Sequence, residues 1–314
     1  MNQRIVIITG ANSGIGKVAA TKFAAEGHHV VMACRNLERS RKALDDIRLQ
    51  TESDQVELMQ VDVSSFASIR RFCPEFREKH ARLDILIHNA AYFEYGKKEY
   101  QLSPDGIELT FATNAFGPFL MTHLLRDSLK KSDDARILNA CTDNVMHFLD
   151  PKRKIEFDNL RGEHRDNRPY SVYKMYGDSK MALLLLTFKL AEEYRTDGIK
   201  INAIIIPGVK LSTETRKKLS FRYRFIATIM NPLWLPVKVM ANNYVHICTD
   251  DGFRSVTGQA IGKKNSILPP ARQQSASDKI REFITFGYVP KYAHDPGNVE
   301  TIWKMATELI DKPT

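Results

Sequence analysis

The chain has 314 residues, 43% of them hydrophobic and 26% charged, with a formal net charge of +9. That balance is ordinary for a globular protein with a sizeable core and allows one large domain or two small ones. It excludes a disulfide scaffold, because the four cysteines, Cys34, Cys73, Cys141 and Cys248, are scattered without C-x-x-C spacing. No run approaches the ~18 apolar residues that span a bilayer, and no histidine pair stands at metal-ligand spacing, so no metal site is expected. The chain enters its first apolar run at Arg4, so no signal peptide is expected. The thiols read as reduced and buried, and a cytoplasmic protein is expected.

In chain order, apolar runs of strand length alternate with helical patterns. Residues 5–8 precede a helix over 14–26, and 29–34 precede a charged helix over 37–49. Residues 56–60 lead to 65–78, and 83–88 lead through a loop to a helical stretch over 106–129. A strand over 136–140 is followed by a polar loop over 143–170, a helix over 173–194 and a strand over 200–206. A seventh strand is expected over 259–261, and a final helix over 299–310. Alternation of this kind implies right-handed crossovers and a mainly parallel sheet. The expected fold is α/β: a Rossmann-like, doubly wound sheet of seven strands with helices on both faces, in a single domain.

Two motifs carry chemistry. Thr9-Gly10-Ala11-Asn12-Ser13-Gly14-Ile15-Gly16 closes the first strand and opens the first helix. Strand, glycine turn and helix N-terminus together offer backbone N–H groups to a pyrophosphate. Tyr176 and Lys180 stand one helical turn apart on one face. A lysine beside a tyrosine favours the phenolate and lowers the phenol's pKa, which suits proton exchange with a carbonyl oxygen. Cradle and phenol together imply hydride transfer. Taken alone, Tyr173 and Tyr176 would read as aromatic packing.

The end of the second strand reports cofactor choice. An acid there would bind the ribose 2′-OH of NAD, but this chain has Arg35-Asn36, with Lys17 just after the glycine turn. A guanidinium suits a 2′-phosphate, so NADP(H) is expected. NAD(H) stays open if Arg35 is merely an exposed residue capping the next helix. Asp62 closes the third strand, where adenine would lie, and Asn89 follows the fourth.

Over about residues 4–262 the sequence resembles the short-chain dehydrogenases/reductases. The carrying residues are the glycine turn, His88-Asn89-Ala90-Ala91, Tyr176-x-x-x-Lys180 and Pro207-Gly208. Met32-Ala33-Cys34-Arg35-Asn36, Asp105-Gly106-Ile107-Glu108, Phe157-Asp158-Asn159-Leu160 and Ile302-Trp303-Lys304-Met305 make it most similar to the retinol dehydrogenase and WW-domain oxidoreductase branch, with no WW domain in the sequence. The resemblance implies a tetrad. Asn114 would order a water beside the lysine, Tyr176 would be the general acid/base, and Lys180 would contact the nicotinamide ribose. Thr142 would hold the substrate oxygen. The implied cofactor contacts are Gly10, Asn12, Ser13, Gly14, Ile15, Gly16, Arg35, Asp62, Val63, Asn89, Tyr176, Lys180, Pro207, Gly208, Val209 and Ser212, with Thr213 competing for the last place.

Four positions depart from the family. Cys141-Thr142 stands where two serines are usual, and the added methyl of Thr142 narrows the site. Ala91 replaces a glycine and must avoid positive φ or bear strain. His88 replaces an asparagine. The expected substrate is a small apolar carbonyl or alcohol, retinoid-, steroid- or lipid-like; the alternative is a catalytically weak, cofactor-binding regulator. Residues 212–240 interleave basic and aromatic side chains where the family has its substrate lid. They suit an apolar lid, or peripheral contact with the cytosolic face of a membrane. Nucleic acid is a poor fit, because no recognition module accompanies the charge.

Overall fold

A computed structural model describes residues 3–94, 96–150, 152–164, 166–211, 213–217, 219, 221–271 and 287–311. Seven strands, β1 (Ile5–Thr9), β2 (His29–Cys34), β3 (Val56–Gln60), β4 (Ile85–His88), β5 (Arg136–Thr142), β6 (Lys200–Ile206) and β7 (Ala260–Ile261), form one sheet. Their order is β3-β2-β1-β4-β5-β6-β7, and every pairing is parallel. Chain order therefore reverses between β1 and β4, and at such a switch point the loops leaving the strands diverge and open a crevice.

The strands are apolar on both faces because helices cover both. One layer holds α1 (Gly14–Ala25), α2 (Leu37–Thr51) and helix Val237–Thr249, packed on Val6, Ile8, Val30, Met32, Leu138 and Ile204. The other holds α3 (Phe66–Lys79), helix Gly117–Leu124, helix Val172–Glu193 and helix Pro296–Ile310, packed on Ile7, Val31, Met59, Leu86, Ile137 and Ile201. Alternate residues of each strand thus serve opposite layers. The four cysteines are buried and unpaired.

The strands fall where expected, with β5 running on to Thr142. The stretch over 106–129 is not one helix. It runs as a short turn Leu109–Phe111, a π-helical turn Ala112–Phe116, helix Gly117–Leu124 and a last turn Arg126–Leu129. The helical path breaks at Leu125, with φ −95° and ψ 2°; Gly117 keeps helical angles, and an added Cβ there would fall 1.9 Å from the carbonyl oxygen of Val63. The loop after β5 carries helical turns at Asp143–Leu149 and Phe157–Asn159. In the 212–240 stretch the described elements are Thr213–Lys217, Phe221–Met230 and Asn231–Leu233; from Val237 the chain joins a helix packed on α1. Among the described residues, no helix is long and apolar enough to cross a membrane.

Candidate active site at the carboxyl ends of the strands

The glycine turn is built for a close approach. Gly10 and Gly14 have φ of +66° and +56°, a region that side chains disfavour. A Cβ on Gly16 would lie 2.5 Å from Asn89 Nδ2 and 2.7 Å from Gly10 O, so the turn has no room for a larger residue. Asn89 locks this packing: its Nδ2 donates to Thr9 O at 3.0 Å, and its Oδ1 accepts from the Tyr244 hydroxyl at 3.2 Å. Ser13 is the extended N-cap of α1 and makes no side-chain capping bond, so a bound anion could take that role. These features fit the pyrophosphate of a dinucleotide.

Other residues of the implied cofactor set are engaged locally. Asn12 Nδ2 donates to Ser40 Oγ at 2.9 Å. Arg35 is exposed just past β2, and Asn36, not Arg35, caps α2 by accepting from Arg39 N at 2.8 Å. Lys17 pairs with Asp46 at 2.7 Å and so ties α1 to α2. Asp62 accepts from Ser64 N and Ser64 Oγ at 2.9 and 2.6 Å, and Val63 packs against Gly117. Ser212 lies outside the described residues.

A cavity of about 480 Å³ opens where β4, β5 and β6 end. Tyr176, Lys180, Thr142 and Asn89 line it, together with Ile15 of the glycine turn and Pro207, Gly208 and Val209 after β6. The remaining wall is largely apolar or aromatic: Ala91, Phe93, Ala140, Cys141, Tyr173, Ile206, Leu211, Trp234 and Tyr244, with Asp143 and Asn144 the polar exceptions. The sequence singled out the first group for this chemistry. Trp234 comes from the 212–240 stretch read as a lid with pocket-lining aromatics; Phe93 and Tyr244 were not foreseen, because long-range packing brings them in without a local motif. Trp234 lies against Gly208, where an added Cβ would be 2.6 Å from the indole. Backbone bonds from Leu235 N to Gly208 O and from Lys210 N to Leu235 O, 3.0 and 2.9 Å, hold this segment over the cavity.

Tyr176 stands in helix Val172–Glu193 with its ring 4.7 Å from that of Phe93. Lys180 is 2% exposed, and its Nζ donates to Ala140 O at 2.7 Å. Burial pushes its pKa down to about 8. Thr142 Oγ1 donates to Asp143 Oδ1 at 3.2 Å and accepts from Asn144 N at 3.4 Å, so the hydroxyl caps the next turn. Burial also raises the Asp143 carboxyl.

Asn114 does not line the cavity. It is fully buried in the π-helical turn, a device common at functional positions. Its Oδ1 accepts from Tyr92 N at 2.7 Å, and its Nδ2 donates to Tyr92 O and Ser179 Oγ at 3.1 and 3.0 Å. Both amide N–H groups therefore join the loop after β4 to the helix turn between Tyr176 and Lys180. Ala91 escapes strain, since it is not among the residues with positive φ. His88 is buried, bonds Thr122 Oγ1 through Nε2 at 2.8 Å, and is held neutral by burial, with its pKa near 3.

Comparison with known proteins agrees with this geometry. A family model described as short chain dehydrogenase matches residues 4–147. Human retinol dehydrogenase 13 is 31% identical over 283 residues, covering 88% of this chain and 82% of the relative. Mouse retinol dehydrogenase 12 is 32% identical over 279 residues, covering 88% and 84%. An uncharacterised protein of Mycobacterium paratuberculosis has a crystal structure that superposes with a TM-score of 0.68 at 24% identity, covering 99% of this chain and 96% of that one. The chain belongs to the short-chain dehydrogenase/reductase family of oxidoreductases.

Proposed function

We propose that this protein is an NADP(H)-dependent oxidoreductase that interconverts a carbonyl and an alcohol on an apolar substrate of retinoid, steroid or lipid type. One observation carries the reading: a phenol, a buried lysine and a threonine hydroxyl line one cavity of mixed polar and apolar lining beside the glycine turn. A bound nicotinamide dinucleotide would supply or accept the hydride. In reduction Tyr176 gives its proton to the substrate oxygen, and in oxidation it takes the proton back. Thr142 turns its hydroxyl from Asp143 to that oxygen. Lys180, protonated at neutral pH, would hold the nicotinamide ribose and favour the Tyr176 phenolate. Asn114 positions the helix turn that carries both residues. Exposed Arg35, with no acid beside it at the end of β2, supports a 2′-phosphate on the cofactor.

The apolar wall and Trp234 support a lid over an apolar substrate. Phe225 and Ile229, one turn apart and exposed, leave an apolar edge on the lid helix for peripheral contact with a membrane. A second reading, a cofactor-binding regulator with weak catalysis, is favoured by the engagement of the Thr142 hydroxyl as a cap.

NADPH and NADH oxidation measured with a panel of aldehydes and ketones separates the readings. Turnover of apolar carbonyls with NADPH is expected, and Arg35→Asp should shift the preference toward NADH. Tight NADPH binding with silence across the panel would favour the regulator.

A further inference from the structure

At the amino-terminal ends of β2 and β3, three side chains from separate elements converge. His29 opens β2, Glu57 is the second residue of β3, and His80 follows the last turn of α3. The Nε2 atoms of His29 and His80 lie 3.0 and 2.6 Å from the same oxygen, Glu57 Oε1. One donor atom from each residue lies within 4.8 Å of the other two. His29 Nδ1 meets Gln55 Oε1 at 3.2 Å, while the Gln55 amide nitrogen donates to Asp54 Oδ1 at 3.1 Å. That second bond fixes which end of the amide faces the ring, so Nδ1 carries the proton. A neutral His29 then points the lone pair of Nε2 at a carboxylate oxygen. Two lone pairs at that distance require a cation between them, either a proton or a metal.

We infer that His29, Glu57 and His80 form a binding site for a divalent transition metal of the zinc type, with solvent completing its coordination. Two imidazoles and one carboxylate are a zinc donor set. Donors about 2.0–2.2 Å from a tetrahedral ion stand roughly 3.3 Å apart; His29–Glu57 at 3.0 Å is close to that, and His80 at 2.6 Å would have to draw back from Glu57 to admit the ion. Gln55 acts on His29 as an outer hydrogen-bond partner acts on a metal-bound imidazole, fixing its tautomer. The three side chains are 10–26% exposed, which leaves an entry path. Lys79, 4.0 Å from Glu57 Oε2, faces the other carboxylate oxygen. Separations of 28 and 23 residues between the three ligands hide the site from any spacing rule. A metal here would tie β2, β3 and the end of α3 together, at the opposite ends of the strands from Tyr176. It would therefore change stability rather than turnover.

The test is a calorimetric titration of tag-free, chelator-stripped protein with Zn²⁺, with Co²⁺ absorption as the coordination probe. One saturable equivalent and a raised melting temperature are expected. His80→Asn and Glu57→Gln should each lose at least tenfold in affinity, while His246→Asn, at an exposed pair elsewhere, should lose none. Gln55→Leu keeps all three donors and should weaken binding by about tenfold, which guards against misfolding of the ligand variants. Absence of saturable binding, or binding undiminished in the His29→Asn/His80→Asn double variant, would overturn the inference. Neither result bears on the hydride chemistry.

Discussion

The two ends of the same strands are built to opposite plans. At the amino ends a cavity of about 760 Å³ is lined by Arg4, Arg82, Asp84, Asp134 and other polar residues. It is larger than the one at the carboxyl ends, yet its charges answer one another. Asp134 takes Arg4 at 2.9 Å and Arg136 at 2.7 Å, and Asp84 takes Arg82 at 3.0 Å and Ile5 N at 2.8 Å. The guanidinium of Arg136 also donates to Ile247 O and Asp250 O. At the carboxyl ends a smaller cavity gathers Tyr176, Lys180 and Thr142 among apolar and aromatic side chains. Volume does not mark the site. What marks the proposed site is a phenol, a lysine and a hydroxyl gathered among apolar and aromatic side chains beside the glycine turn.

The sharpest way to break this contrast is at Lys180. Lys180→Met should lower kcat by about a hundredfold or more, since the proton-transfer geometry depends on it. Stability should move the other way. Below pH 8 the folded state carries a buried ammonium. Between about pH 8 and 10.5 the unfolded chain binds more protons, so wild-type stability rises with pH. Relief of the buried ammonium should favour the variant by up to about 3 kcal/mol at pH 7, offset by about 1–3 kcal/mol for leaving Ala140 O without its donor, and the pH-dependent part should fade by pH 10.5 in denaturant titrations. The kcat/KM of the wild type should fall above about pH 8.

At the opposite end, Arg136→Met should cost about 3–5 kcal/mol of stability by leaving buried acceptors unpaired. Its kcat at a temperature where it is folded should match wild type. A loss of activity without a loss of stability would erase the division between the two ends. Thr142→Ser should have the smallest effect. Removing one methyl frees χ1 and widens the cavity, so kcat/KM for bulky carbonyls should rise by a factor of a few, read from initial rates.

Local patterning made much of this legible. Apolar runs bounded the strands within two or three residues, because parallel strands buried on both faces read as continuous hydrophobic stretches. The glycine turn and Tyr176-x-x-x-Lys180 were legible because fixed spacing encodes a turn and a helix face. Long-range packing was not legible. The glycine at 117 answers the close approach of the Val63 carbonyl, more than fifty residues upstream. Phe93 and Tyr244 reach the cavity from the loop after β4 and from a helix of the other layer. Lys17, beside the glycine turn in sequence, is turned to Asp46 by the packing of α1 on α2.

The central claim is that Tyr176 exchanges a proton with a substrate oxygen while hydride crosses the same cavity. It is tested most directly by supplying NADPH deuterated at the transferable C4 position with an apolar aldehyde, to wild type and to Tyr176→Phe, and measuring label in the alcohol carbon. The account predicts label with wild type, and none above background with Tyr176→Phe despite unchanged NADPH affinity. Equal transfer by the two proteins would contradict it.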